Sequence, residues 1–353
     1  MKLTPPVELV SPPDPAAWDA LVNEADDATV FHTSSWARLW ITEWPGARWE
    51  AVVLPEGEAY AGALGLIIRD GPLGRQVLAM PYGTYSGPIV RRDHPDPAQV
   101  RRQLLEGYAQ LVRHAWVMVS ELAWYQGRRD ELPADLIAAE GFTHVRPLGP
   151  DFASLLAALP HSVRSRVRQA EEAGLTVRRI TDVRDVRHYH ALAVRTGRRR
   201  GGVPKPLSLY QRIFRNLGPA GLARYDLVEH LGRPIGGSLH FTYRGVATNW
   251  LTVADERALD LRPVHAIMAE VMRDLCAGGY HEYNLGGSPP DAEGLIHFKE
   301  DWGGTRRLVL DVQHRSLLHR FLRGELPPPS PQGPAAPPGP PPARPPESPP
   351  PRS

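Results

Sequence analysis

The chain has 353 residues, 42% of them hydrophobic and 23% charged, with a net charge of +2. This is an ordinary globular profile, long enough for two domains each with a sizeable core. The slight basic excess calls for no DNA or other nucleic-acid partner, and the single cysteine, Cys276, excludes a disulfide framework or multi-cysteine metal site within the chain. No run approaches the ~20 apolar residues of a bilayer-spanning helix, and the N-terminus MKLTPPVELVSPPDP lacks the apolar stretch of a secretory signal. The expected location is therefore cytoplasmic, with any envelope substrate met by peripheral contact at the inner face.

In chain order, Trp49–Leu54, Tyr60–Arg69 and Gln76–Met80 read as strands between Gly- and Pro-rich turns. Val100, Leu104, Leu105, Tyr108, Leu111, Val112 and Ala115 form a helical stripe within Val100–Trp116. Val117–Trp124 reads as a strand, Ala134–Glu140 as a short helix and Gly141-Phe142 as a turn. A division falls near Pro147–Asp151.

Beyond it, Ser162–Ala173 reads as a basic helix closed by Gly174, with further helices around Val183–Arg195 and Leu207–Leu217. Strands are expected at Arg224–His230, Pro234–Tyr243 and Ala247–Ala254. In the middle one, Leu239, Phe241 and Tyr243 alternate with Ser238, His240 and Thr242, the pattern of a sheet with one buried face. Pro263 starts a helix carrying Val264, Ile267, Met268, Val271, Met272 and Leu275 on one side, in which Cys276 is a small buried hydrophobe. Gly278-Gly279 ends this helix, and the strand Glu282–Leu285 follows at once. Pro327–Ser353 holds 15 prolines in 27 residues and no hydrophobic pattern, which predicts a disordered tail.

Helices, antiparallel strands, a core helix and a return strand thus occur twice. The pattern predicts an α/β (α+β) chain of two like domains, residues 1–150 and 151–326, ahead of the tail 327–353.

The chemistry concentrates late in the chain. Gly286-Gly287 follows a strand and lets backbone approach a ligand closely, with N–H groups able to face an anion. Lys299 lies about one helical turn past Leu295, with Phe298 and Trp302 beside it. A cation framed by aromatics acts strongly on a phosphate or a developing oxyanion. Arg164 and Arg168, four apart on one helix, share a face able to clamp phosphates. Arg195 and Arg198–Arg200 form the densest basic cluster, and Tyr243, Asn249 and Trp250 are positioning candidates on strands. No metal constellation stands out: His188 and His190 are too close together for one helix face.

Four stretches, in order, resemble the Fem-type aminoacyltransferases and their FemAB-like GNAT relatives. They are His32-Thr33-Ser34-Ser35-Trp36, Leu159–Val177, Ile235–Leu239, and Asn284–Gly304 (NLGGSPPDAEGLIHFKEDWGG). The resemblance runs from about Phe31 to Val312. It implies two tandem GNAT-like domains, with mixed, mainly antiparallel sheets flanked by helices and a cleft between them.

The implied chemistry is acyl transfer to an amine. The donor is an aminoacyl-tRNA in the best-known branch, or an acyl-CoA as the alternative, with no resident cofactor or metal. The acceptor is a phosphorylated cell-wall or polysaccharide precursor. Lys299 corresponds to a motif lysine that faces the donor's acyl-linked end, and Arg199 is the choice for a phosphate-binding arginine after Thr196. Two positions depart from the peptidoglycan branch. A phosphate-binding lysine is replaced by Trp40, with Arg38 the nearest cation, and the acid expected after Gly87-Pro88-Ile89-Val90 is displaced by Arg91 and Arg92 to Asp93. The alternative of another class is a non-catalytic adaptor, with Arg clusters and a Pro-rich tail as its binding surfaces.

Overall fold

Apolar alternation and turn glycines resolve into thirteen strands in the computed structural model, which describes residues 3–316 except 83, 115 and 200. The Pro-rich tail, Ala115 of the helical stripe and Arg200 lie outside the described residues. The strands of the first part are β1 (Glu8–Val10), β2 (Arg48–Glu56), β3 (Ala59–Gly71), β4 (Gly74–Ala79), β5 (Ile89–Val90), β6 (Val117–Tyr125) and β7 (Ala138–Pro147). Those of the second are β8 (Thr176–Arg179), β9 (Ala223–His230), β10 (Arg233–Tyr243), β11 (Val246–Ala254), β12 (Glu282–Gly287) and β13 (Thr305–Arg315). The helices are α1 (Pro15–Glu24), α2 (Ser34–Glu43), α3 (Pro97–Val112), α4 (Phe152–Ala157), α5 (His161–Glu172), α6 (Val186–Arg199), α7 (Leu207–Leu217), α8 (Pro263–Ala277) and α9 (Glu293–Asp301).

All strands but β5 lie on one path, β1-β2-β3-β4-β6-β13-β7-β12-β11-β10-β9-β8, while β5 pairs with β3. Pairing is antiparallel except for β4–β6 and β11–β12. The sheet runs unbroken across the division expected near residue 150. β7 pairs with β12 on one side and β13 on the other, and β13 in turn pairs with β6.

Two local expectations are corrected. The predicted helix Ala134–Glu140 and turn Gly141-Phe142 give way to β7, because Ala138–Val145 is zipped residue by residue to Thr305–Val312. A continuous ladder of backbone hydrogen bonds overrides the helical preference of a short Ala-rich stretch. In β10 both faces are buried, Ser238 and His240 as fully as Leu239 and Phe241, because helices cover the sheet on both sides. His240 is accommodated by a 2.7 Å hydrogen bond with the Tyr283 hydroxyl.

The aromatic core joins the two parts of the chain. Thr33 caps α2 by accepting a hydrogen bond from the Trp36 N–H at 3.3 Å. This helix buries Trp36, Leu39 and Trp40 completely. Trp36 packs edge-on against Phe241 of β10 at 4.9 Å between centroids, and Phe31 does so at 5.5 Å. Burying one such ring contributes roughly 2–3 kcal/mol. Trp40, where a phosphate-binding lysine was sought, is thus core. A separate cluster gathers Ile267, Met268, Met272 and Cys276 of α8 with Tyr283, Leu285 and Trp302.

Candidate functional site

The β11–β12 pair explains where a cleft opens. These parallel strands are in register for only three pairs, Val246↔Glu282, Ala247↔Tyr283 and Thr248↔Asn284. β11 is also bulged against β10. Leu239 pairs with Leu251 and His240 with Asn249, so Trp250 is the extra residue. A bulge bends its strand and re-aims a side chain. Past the last pair lies a cleft of about 690 Å³, lined by Asn249–Thr252 on one side and Leu285–Gly287 on the other.

Lys299 of α9 also lines this cleft. It is only 6% exposed, rather than a solvated helix residue. Its ammonium donates to the Gly286 carbonyl at 2.8 Å and the Gly287 carbonyl at 2.7 Å. Gly286 has a φ of +82°, a conformation natural for glycine, and an added Cβ would come to 3.0 Å from the Asn249 carbonyl. The diglycine therefore presents its carbonyls to the lysine. Phe298 lines the same wall, edge-on to His265.

The rest of the lining was not singled out from the sequence. Lys205 lies over the rings of Tyr82, at 4.5 Å, and Trp250, at 5.1 Å. Burial pushes its pKa down. The start of α8 also faces the cleft, through Arg262, Pro263, Val264 and His265. Arg262 caps that helix in the left-handed region, at φ +62°. His265 is held neutral, its pKa lowered to about 4 by burial and by Arg166 and Arg262, and its buried Nε2 has no hydrogen-bond partner among the described residues. Signals for Lys205 existed in the Gly201-Gly202 loop context, but its aromatic partners come from β11 and the turn after β4.

A second cavity of about 450 Å³ adjoins the first. Tyr85 and Thr248 line both. Asp26, Asp27, Arg101, Arg128, Tyr125, Tyr243, Glu282 and Asn284 belong to the second alone. Tyr85 donates to Thr143 Oγ1 at 2.7 Å, and Thr143 to Asn284 Oδ1 at 2.6 Å. Burial lifts the Tyr85 phenol to about 12, so it stays protonated as a donor.

Of the residues chosen from sequence, the structure brings Lys299, Gly286, Gly287, Phe298 and Trp250 into one cleft. Tyr243 instead lines the neighbouring cavity and donates to the Val22 carbonyl at 3.3 Å. Arg38, Arg164 and Arg168 are exposed on α2 and α5, away from both cavities, and Arg168 lies 3.6 Å from Glu172. Arg199 also lies outside, paired with Glu256 at 3.1 Å. Asp93 is exposed and bound to Arg91 at 2.5 Å. Charged residues on helix faces are set by solvent and by neighbouring counter-charges, and these arginines follow that rule.

Residues 159–300 match the family model described as an acetyltransferase (GNAT) domain. No curated protein matches the sequence. In fold, the chain is similar to FemX, with 15% identity over 89% of this chain and 99% of that one, at a TM-score of 0.65. It is also similar to L-PGS from Bacillus licheniformis, with 13% identity, 89% and 94% coverage and a TM-score of 0.54. A conserved protein of unknown function from Bacteroides thetaiotaomicron gives 11% identity, 85% and 97% coverage and a TM-score of 0.54. Residues 159–300 are thus an acyltransferase domain of GNAT type. The architecture of the chain around this domain is like that of FemX.

Proposed function

We propose that the protein is an N-acyltransferase that moves an acyl or aminoacyl group onto an amine of a phosphorylated cell-envelope precursor, working in the cytoplasm. The observation that carries this reading is the buried Lys299 ammonium, clasped by the Gly286 and Gly287 carbonyls in the cleft wall. A fixed positive charge in a partly dry cleft stabilises the oxyanion that forms when an amine attacks an ester or thioester carbonyl. Trp250, Phe298 and the two glycines shape the place of the acyl group, and two GNAT-like halves, 1–150 and 151–326, supply its walls. The fold likeness to FemX and L-PGS supports an aminoacyl-tRNA as donor.

A second donor, acyl-CoA, is favoured by the start of α8. Its first turn and Arg262 line the cleft, and a helix N-terminus with a cation beside it suits a donor phosphate. The segment Asp255–Arg262, which lacks the glycine-rich loop of a CoA site, forms a 3-10 turn at Glu256–Leu261 and leaves that helix end open to the cleft. Incubating the purified protein with labelled aminoacyl-tRNA or acyl-CoA and an amine acceptor separates the two, since one donor alone should yield labelled amide. If neither does, the reading falls.

A further inference from the structure

We propose that Glu282 is the general base of the transfer and that the smaller cavity, which it lines, receives the acceptor amine. This rests on the acyl-transfer reading above and adds the acceptor's place and the proton's destination.

The placement follows from strand periodicity. In β12 Glu282 and Asn284 alternate with the core residue Tyr283, so they share the opposite face, and the register shifts between Asn284 and Gly287. Glu282 and Asn284 line the smaller cavity, and Gly286, which accepts from Lys299, lines the cleft. One strand face therefore carries an acid and an amide about 7 Å apart, and the lysine's anchor, Gly286, follows at the irregular end of the strand. The two spaces meet beside the amide. Thr248, which lines both, is the cross-strand neighbour of Asn284.

Asn284 points to a ligand independently of the acids. Its side chain lies in a residue only 3% exposed. Its Oδ1 accepts from Thr143 Oγ1 at 2.6 Å and the Gly286 N–H at 2.9 Å. Those two donors fix which way the amide is turned. Its Nδ2 is left as a donor with no partner among the described residues, in a side chain that lines the cavity. That donor is open to the cavity, where a carbonyl or oxyanion of a bound substrate accepts from it.

The three carboxylates of the cavity differ in what they face. Asp26 is paired with Arg92 at 2.6 Å, and Asp27 lies 3.7 Å from Arg101. Glu282 is half-buried and has no cation at ion-pairing distance among the described residues. Arg101 of the same cavity is already engaged by both oxygens of Glu131, while the charges of His281 and Arg307 act on Glu282 from a distance and partly offset its burial. A carboxylate in that state favours an ammonium beside it, and burial raises its pKa towards the range of a working base.

The acceptor ammonium gives a proton to the Glu282 carboxylate, and the neutral nitrogen attacks the donor's carbonyl carbon at Asn284. A C–N bond forms and the oxyanion faces the Asn284 amide and the Lys299 charge. The donor's C–O or C–S bond then breaks. The leaving oxygen or sulfur takes the second nitrogen proton, and Glu282 releases its proton to water at the cavity mouth.

The test compares wild type with Glu282→Gln on two acceptors, using whichever donor the wild type consumes. With an ordinary alkyl amine the variant should lose about 100-fold or more in kcat, the range of general-base catalysis, and the acidic limb of its pH–rate profile should flatten. With hydroxylamine, which is already unprotonated at neutral pH, it should keep the wild-type rate. Glu282→Asp should recover part of the alkyl-amine rate. Equal losses on both acceptors, or no loss on either, would overturn the proposal. A wild type that consumes no donor would instead sink the acyl-transfer reading itself. A melting curve of the Gln variant that matches wild type keeps misfolding out of the comparison.

Discussion

Lys299 and His32 show what single buried groups do here. Replacing Lys299 with Met removes the charge and leaves the Gly286 and Gly287 carbonyls without its hydrogen bonds. The expected outcome is a fall in kcat of about 10²–10³-fold, the usual effect of removing one oxyanion stabiliser. A loss of about 1–3 kcal/mol in stability should accompany it from the stranded carbonyls. Single-turnover transfer and a urea melt measure the two separately, and full activity would exclude Lys299 from the chemistry. His32 is buried, with its ring nitrogens bonded to Thr29 and the Gly87 carbonyl. Burial lowers its pKa to about 4 from 6.5. The unfolded chain then takes up the proton first as pH falls, so the native state loses stability between about pH 6.5 and 4 and gains nothing above that window. The cost reaches on the order of 3 kcal/mol for this residue at the low end. His32→Gln should flatten that part of the stability–pH curve, and an unchanged slope would exclude the residue as its source. Lys299 was legible because its motif is local: a diglycine, a helical turn and an aromatic neighbour lie within one short segment. Lys205, His265 and Asn284 were not chosen, because what distinguishes them is contributed by strands and helices far off in sequence. Arg38, Arg164 and Arg168 stand exposed on helices away from both cavities, and a dense charge pattern is also what a solvated helix face looks like.

Among the elements, the end of β12 is the most sensitive. Gly286→Ala forces a side chain onto a φ of +82° and within 3.0 Å of the Asn249 carbonyl. The strain costs about 1–2 kcal/mol and shifts the carbonyl that holds Lys299. Activity should fall about tenfold or more, since ~1.4 kcal/mol is one decade in rate, while the fold survives. A crystal structure or circular dichroism with kinetics on the same sample checks this, and wild-type kinetics would show that the carbonyl's position is immaterial. Most strands and the long helices could be read from period and turn residues, including the α8 start at Pro263 and the break at Gly174, whose φ is +70°. β7 could not. Its register is dictated by β13, more than 150 residues later, and the local Ala-Ala-Glu pattern says helix. The burial of both β10 faces was hidden similarly, because polar Ser238 and His240 reveal their cover only when the helices are in place.

At the scale of the molecule, residues 1–316 form one compact unit. A chain ended after Ser316 keeps the described strands and should melt cooperatively. A chain ended after Gly304 loses β13 from between β6 and β7 and should fail to fold to a cooperative state. Thermal melts of the two truncations, with solubility as a second readout, decide this. If the shorter chain melts cooperatively, β13 is dispensable and the continuous sheet is less coupled than its pairing implies. The division expected near residue 150 rests on a repeat of pattern. The sharing of strands across it was not legible in the sequence, because pairing partners leave no mark in the spacing of either segment.

The place of β13 also sets an order in time. As the chain is synthesised, β6 and β7 emerge early, yet the strand that separates them is among the last described residues to leave the ribosome. Until then the nascent N-terminal portion carries unpaired strand edges, which are templates for wrong partners. Long-range pairing of this kind slows closure, because the loop must be ordered before the contact rewards it. The two halves are therefore made in sequence but completed together, and expressing either alone should yield an open-edged, association-prone fragment.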